Sequence, residues 1–141
     1  MNIHIINGPN LNWLGQREVN IYGKKTLADL KKDWQDYGVK NNLNVKTFQS
    51  NCEGAILDYI YSTVNDADGY ILNAGAFTHY SFALRDCISG IDKPVIEVHI
   101  SNPESRESFR HTSVITPVVQ GKICGFGVKS YTLALASFLE D

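Results

Sequence analysis

No stretch of the 141 residues approaches the roughly 20 consecutive apolar positions that a membrane-spanning helix needs. Met1 leads straight into Asn2-Ile3-His4-Ile5-Ile6, without the charged start and long apolar segment of a secretory signal. The chain therefore reads as soluble and cytoplasmic. Cysteine is scarce. Cys52, Cys87 and Cys124 form an odd set with no Cys-x-x-Cys pair, which excludes a disulfide framework or a zinc site and fits reduced thiols. A positive excess is missing too: 13 Lys and Arg against 15 Asp and Glu leave a net charge of -2. That balance argues against nucleic-acid or anionic-membrane partners, which call for a basic surface. There is no phosphate loop, GxGxxG, HExxH, GxSxG or Cys/His cluster, and the glycines from Gly121 to Gly127 lack phosphate-loop spacing. The residues support acid–base chemistry on a small anion, with no cofactor and no metal.

What the chain does have is a regular alternation of short apolar runs and amphipathic segments. Ile3 to Ile6 reads as a first strand. Thr26, with Asp29 three residues on, reads as a capping box opening a helix in which Leu27, Leu30, Trp34 and Tyr37 repeat at helical spacing to about Asn41. Leu43 to Gln49 is the second strand, and Ile56, Leu57, Ile60 and Val64 mark the next helix. Gly69 to Asn73 is the third strand, followed by a helix from about Thr78 to Ser89. Pro94 to Ile100 is the fourth strand, Ile115 to Val119 the fifth and Gly121 to Gly127 a bend. Tyr131, Leu135, Phe138 and Leu139 line a closing helix.

Such alternation implies right-handed crossovers and a parallel sheet covered on both faces. The expected fold is a single α/β domain over 1–141, a flavodoxin-like doubly wound five-stranded parallel sheet in three layers. One loop resists the pattern: Gly8 to Lys25 is far longer than the usual βα connection of about 2–6 residues. Its segment of about 15–23, bracketed by Gly15 and Gly23, reads as a lid.

The segment from Glu97 to His111 draws the eye first, because an apolar strand runs into two histidines and two arginines. Arg106 and Arg110 stand four apart and would share a face of one helix, just beyond a strand end where open α/β sheets bind ligands. They could equally be a solvated face salted with Glu104 and Glu107. His99, at a strand terminus, is a candidate acid–base group, and Glu97 could hold its imidazole in one tautomer. Asn102-Pro103 supplies a cap and a first-turn proline for a short helix. The free amides there, with those of Ile100 and Ser101, would suit a carboxylate or phosphate. Polar residues also follow the other strands: Asn7 and Asn10, Gln49-Ser50-Asn51, and Asn73 with Thr78-His79. All strand ends of a parallel sheet share one edge, so these groups should converge. His4 is read as structural. In the lid, Arg17 stands near Tyr22; a phenol is a weak base near neutral pH, and a neighbouring guanidinium favours its ionised form.

Together these segments resemble the type II 3-dehydroquinases. The matching runs are Asn7-Gly8-Pro9-Asn10-Leu11-Asn12, Arg17-Glu18, Tyr22-Gly23, Gln49-Ser50-Asn51 with Glu53-Gly54, Asn73, Gly75-Ala76 and Thr78-His79. Glu97-Val98-His99, Ser101-Asn102 and Arg106 to His111 complete them, so the resemblance spans essentially the whole chain. It implies dehydration of 3-dehydroquinate to 3-dehydroshikimate, the third step of the shikimate pathway, by anti elimination through an enolate without a Schiff base. Tyr22 would be the base, favoured by Arg17 and Arg106, and His99, oriented by Glu97, the general acid. Asn10 would help stabilise the enolate oxygen through a water. Asn73, His79 and Arg110 would hold ring hydroxyls, and the Ile100 and Ser101 amides the carboxylate. The resemblance further implies a homododecamer, a tetramer of trimers, in which Asp86 reaches a neighbouring subunit's site. Val19, Ala74, Tyr80 and Phe82 depart from the family's usual residues without touching a proposed catalytic group. The rival readings are a flavodoxin-like module that binds a small acid without converting it, and a flavin-binding redox domain.

Overall fold

A computed structural model describes residues 1–139. Five parallel strands form one sheet in the order β2-β1-β3-β4-β5: β1 (Asn2–Asn7), β2 (Asn44–Gln49), β3 (Gly69–Asn73), β4 (Val95–His99) and β5 (Gly121–Cys124). The helices are α1 (Val19–Tyr22), α2 (Leu27–Lys40), α3 (Glu53–Thr63), α4 (Phe82–Gly90) and α5 (Lys129–Ala136). The central strands β1, β3 and β4 are almost wholly buried, because their near-continuous aliphatic runs are covered on both faces. Ile3, Ile5, Ile71 and Val98 pack with Leu30 and Trp34 of α2 and with Tyr131, Ala134 and Leu135 of α5. Ile6, Tyr70, Leu72 and Val95 face the other way, against Ile56 and Ile60 of α3 and Leu84, Cys87 and Ile88 of α4. The three-layer, doubly wound architecture expected from the sequence is the one observed.

Local signals explain the helix starts. Thr26 and Asp29 form a reciprocal capping box: the Asp29 amide donates to Thr26 Oγ1 at 3.2 Å, and the Thr26 amide to Asp29 Oδ2 at 3.0 Å. The expected helix from Thr78 is divided in two. Gly75–His79 is a tight single turn, and α4 begins only at Phe82, because the Ser81 hydroxyl caps it by accepting from the Leu84 amide at 3.0 Å.

The fifth strand lies later than expected. Residues Thr116–Val118 form a turn around Pro117, which has no N–H to give a ladder, and the strand is Gly121–Cys124, inside the expected bend. Ile115 is fully buried, but against the α3–α4 core and not within the sheet. As an edge strand paired only with β4, β5 is half-buried throughout and lacks an apolar run. No helix among the described residues is long and apolar enough to cross a membrane.

Candidate active site

The chain leaves β1 toward β2 on one side, while β3 and β4 are added on the other. The connections therefore diverge beyond the carboxyl ends of β1 and β3, the position where doubly wound sheets hold ligands. A cleft of about 730 Å³, including its part open to solvent, lies there. It is lined by Asn10 after β1, by Asn73 at the end of β3 and His79 beyond it, and by His99 at the end of β4 with Ile100 and Ser101 just after. Arg17 and Tyr22 close it from the long first loop, and Arg106 and Arg110 from the segment after β4. Leu11, Leu14 and Pro103 supply apolar wall.

The deepest charged group is Glu97, fully buried on β4. Its Oε2 accepts from His99 Nε2 at 2.5 Å and from Ser113 Oγ at 3.0 Å, while Oε1 accepts from Thr116 Oγ1 at 2.5 Å. Lys122 Nζ stands 4.0 Å away on β5. Burial alone would push this carboxyl up, but the contacts from His99 and Thr116 and the charge of Lys122 hold it below the usual carboxylate range. Glu97 thus remains a carboxylate and fixes the Nε2 edge of the His99 ring, which leaves Nδ1 as the edge free of side-chain hydrogen bonds among the described residues. Ser113, Thr116 and Lys122 were not anticipated from sequence.

Gly15, at φ +86, lets the chain double back so tightly that a Cβ there would lie 2.7 Å from the Lys24 carbonyl oxygen. The returning segment forms α1, whose last residue, Tyr22, points its hydroxyl at Arg106. Arg106 Nη1 donates to the Tyr22 oxygen at 2.7 Å and to Ser101 Oγ at 3.2 Å. Both the Arg106 and Arg17 guanidinium carbons lie 5.4 Å from the Tyr22 ring centroid. Arg17 does not touch the hydroxyl; its Nη2 donates to Glu18 at 2.8 Å.

Arg106 and Arg110 reach the cleft by a route other than the expected shared helix face. Two separate turns, Pro103–Ser105 and Ser108–His111, are divided by Arg106 in extended backbone. Pro103 and the Asn102 cap, which accepts from the Glu104 amide at 3.2 Å, start the first turn as expected. Arg110 is half-engaged by Glu107 at 3.1 Å. The His79 ring meets the Thr112 carbonyl at 2.8 Å through Nδ1, which must therefore carry a proton. The amides of Ile100 and Ser101 make no turn or loop hydrogen bond among the described residues.

Convergence is incomplete: Asn7 and Thr78 are buried outside the cleft lining. Gln49, Ser50 and Asn51 do not line the cleft. They brace its rim: Asn51 Oδ1 accepts from the Asn10 amide at 2.9 Å, and Gln49 Nε2 donates to the Gly8 carbonyl at 3.1 Å. Asn10 is thereby held in left-handed backbone at φ 69. Asp86 lies on α4, exposed and outside the cleft of its own chain. His4 is buried far from the site, with Nδ1 2.7 Å from the Tyr59 hydroxyl.

A buried carboxylate–imidazole pair and a phenol held by guanidinium meet at one cleft beyond the strand ends of a doubly wound sheet. The profile of the family described as Dehydroquinase class II matches residues 1–139. A 3-dehydroquinate dehydratase of Bacillus mycoides is 54% identical over 136 residues, covering 96% of this chain and 93% of that protein. The crystal structure of a type II dehydroquinase from Butyrivibrio crossotus superposes with a TM-score of 0.95 at 47% identity, covering 97% of this chain and 96% of that one. A second, from Propionibacterium acnes, gives 0.93 at 40% identity over 96% and 94%. The chain belongs to the class II dehydroquinase family, and with it to the lyases.

Proposed function

We propose that this chain removes water from 3-dehydroquinate to give 3-dehydroshikimate. The observation that carries the reading is the Arg106 hydrogen bond to Tyr22, 2.7 Å long, in the same cleft as the Glu97–His99 pair. A guanidinium that donates to a phenolic oxygen stabilises negative charge on it. Tyr22 takes the proton beside the ketone, and the electron pair of the broken C–H bond moves into an enolate. Asn10 stabilises the enolate oxygen through a water. The enolate then re-forms the ketone as the carbon–oxygen bond on the opposite face breaks. His99 gives its proton to the departing hydroxyl, so the atoms lost are those of one water. Glu97 holds the imidazole for that transfer.

Binding follows the same division of labour. The amides of Ile100 and Ser101 receive the carboxylate, while Asn73, His79 and Arg110 receive ring hydroxyls. The 15–23 segment acts as a lid whose closure brings Tyr22 and Arg17 over the substrate. Asp86, exposed on α4, reaches the site of a neighbouring subunit in a homododecamer built as a tetramer of trimers. The reaction is the third step of the shikimate pathway and takes place in the cytoplasm, where the three free thiols stay reduced.

The test is direct. Purified chain with 3-dehydroquinate should develop the ultraviolet absorbance of a conjugated enone, and borohydride added with substrate should leave the enzyme active. Absence of turnover would leave only a binding module; borohydride inactivation would point to a lysine imine instead.

A further inference from the structure

Behind the cleft wall, a chain of buried hydrogen bonds includes two side chains to which the reaction above gives no task. Asn7 closes β1 and Asn73 closes β3, side by side in the parallel register. Tyr131 of α5 lies beneath both, its hydroxyl 2.8 Å from Asn73 Nδ2 and 2.5 Å from Asn7 Oδ1. Asn7 is 1% exposed, Asn73 4% and Tyr131 0%.

One backbone group sets the direction of this chain. The Gly75 amide can only donate, and it lies 3.2 Å from Asn73 Oδ1. A flipped Asn73 amide would set two donors against each other, so Oδ1 stays with Gly75 and Nδ2 turns to Tyr131. Tyr131 accepts that bond and directs its own proton to Asn7 Oδ1. Burial pushes the Tyr131 phenol far above the usual tyrosine range, outweighing the opposite effect of the Asn73 bond, so it remains a neutral hydroxyl. Asn7 Nδ2, at the far end, has no partner among the described residues. Gly75 is itself held at φ +58, where a Cβ would come within 3.2 Å of the Pro9 carbonyl oxygen.

Asn73 lines the cleft with what is left over. Its carbonyl already accepts from Gly75 and one N–H is given to Tyr131, which leaves the second N–H without a partner among the described residues and free to meet a ligand. We propose that Tyr131, backed by Asn7, is a positioning residue that orients Asn73 as a hydrogen-bond donor. The site thereby selects ligands with an acceptor oxygen at that point. The proposal rests on the dehydratase reading, in which that oxygen is a ring hydroxyl. It adds a polarity to the contact and assigns the residues that set it.

Steady-state kinetics on the full chain test the relay. Tyr131→Phe keeps the ring packed on Trp34, 4.5 Å between centroids, and deletes only the hydroxyl. It should raise KM about tenfold with kcat within about twofold of wild type, since binding and not chemistry is disturbed. Added to Asn73→Ala it should raise KM no further, because the relay acts only through Asn73. Asn7→Ala keeps the Tyr131–Asn73 bond but frees the phenol to turn, and should raise KM about threefold. If Tyr131→Phe does not fold, Asn7→Ala carries the test. A folded variant with unchanged KM overturns the relay, as does an equal effect of Tyr131→Phe in the Asn73→Ala background. An inactive wild type would remove the dehydratase reading and the relay together, whereas an active one with an unaltered variant removes the relay alone.

Discussion

Replacing Arg106 by alanine separates two jobs that a cationic residue in this cleft could do. If Arg106 only attracts an anionic substrate, its loss raises KM and leaves kcat alone. Its geometry argues otherwise. The side chain is 14% exposed, and Nη1 lies 2.7 Å from the Tyr22 oxygen, with Ser101 Oγ as its second partner at 3.2 Å. A hydrogen bond to a charged group contributes about 1.5–3 kcal/mol, and unit charges about 4 Å apart at the effective dielectric of a protein surface attract by about 4 kcal/mol. The cleft is open to water, so the smaller figure governs. Arg106→Ala should then lower kcat by about 10- to 150-fold, since each 1.36 kcal/mol is about a factor of ten. Arg106→Lys keeps the charge but loses the planar fork and should fall between. Initial rates of enone formation over a range of substrate concentrations give the split. A raised KM with kcat unchanged in a folded variant would refute the assignment of Arg106 to the base.

Three further outcomes follow from the same geometry. Glu97→Gln should lower kcat by about 10- to 100-fold with a smaller change in KM, because charge-assisted hydrogen bonds are about twice as strong as neutral ones; unchanged kcat would free His99 from Glu97. His4 is held below the ordinary histidine range first by burial and then by Lys46. Its unfolded form takes up a proton near pH 6.5 while the folded form resists, so stability falls as pH drops below about 6.5 toward the folded value. Urea unfolding of His4→Gln at pH 7.5 and 5 should show a flatter dependence than wild type, and parallel slopes would contradict this. Gly15→Ala, at φ +86 with Lys24 in the way, should cost about 1–2 kcal/mol of local order; tryptic cleavage after Arg17 or Lys24 should quicken, and an unchanged rate would contradict the strain.

The central strands were legible because β1, β3 and β4 are buried on both faces and therefore rich in aliphatic residues. Likewise α2 announced itself through Thr26 and Asp29. The edge strand β5 gave no such pattern, as half-burial leaves room for Lys122 and Cys124, while buried Ile115 imitated a strand from within a turn. Within the site, residues beside strand ends could be anticipated, since a parallel sheet puts those ends together. The groups that hold them could not. Glu97 meets Ser113 and Thr116 from the segment before β5 and Lys122 from β5 itself, and Asn73 meets Tyr131 from a helix 58 residues away. Local spacing carries no trace of such contacts. The two arginines illustrate the limit: their spacing of four suggested one helix, yet Pro103 and the extended Arg106 break the segment into two turns that aim both at the cleft.

The central claim is that Tyr22 is the base of a dehydration and not merely a wall of a binding pocket. Tyr22→Phe removes the hydroxyl that Arg106 holds and leaves the ring beside the two guanidiniums. The decisive measurement is kcat of this variant for enone formation, alongside calorimetric binding of the product. The account predicts a loss of at least about a hundredfold in kcat with product affinity close to wild type. A variant that turns over at near-normal rate would contradict it.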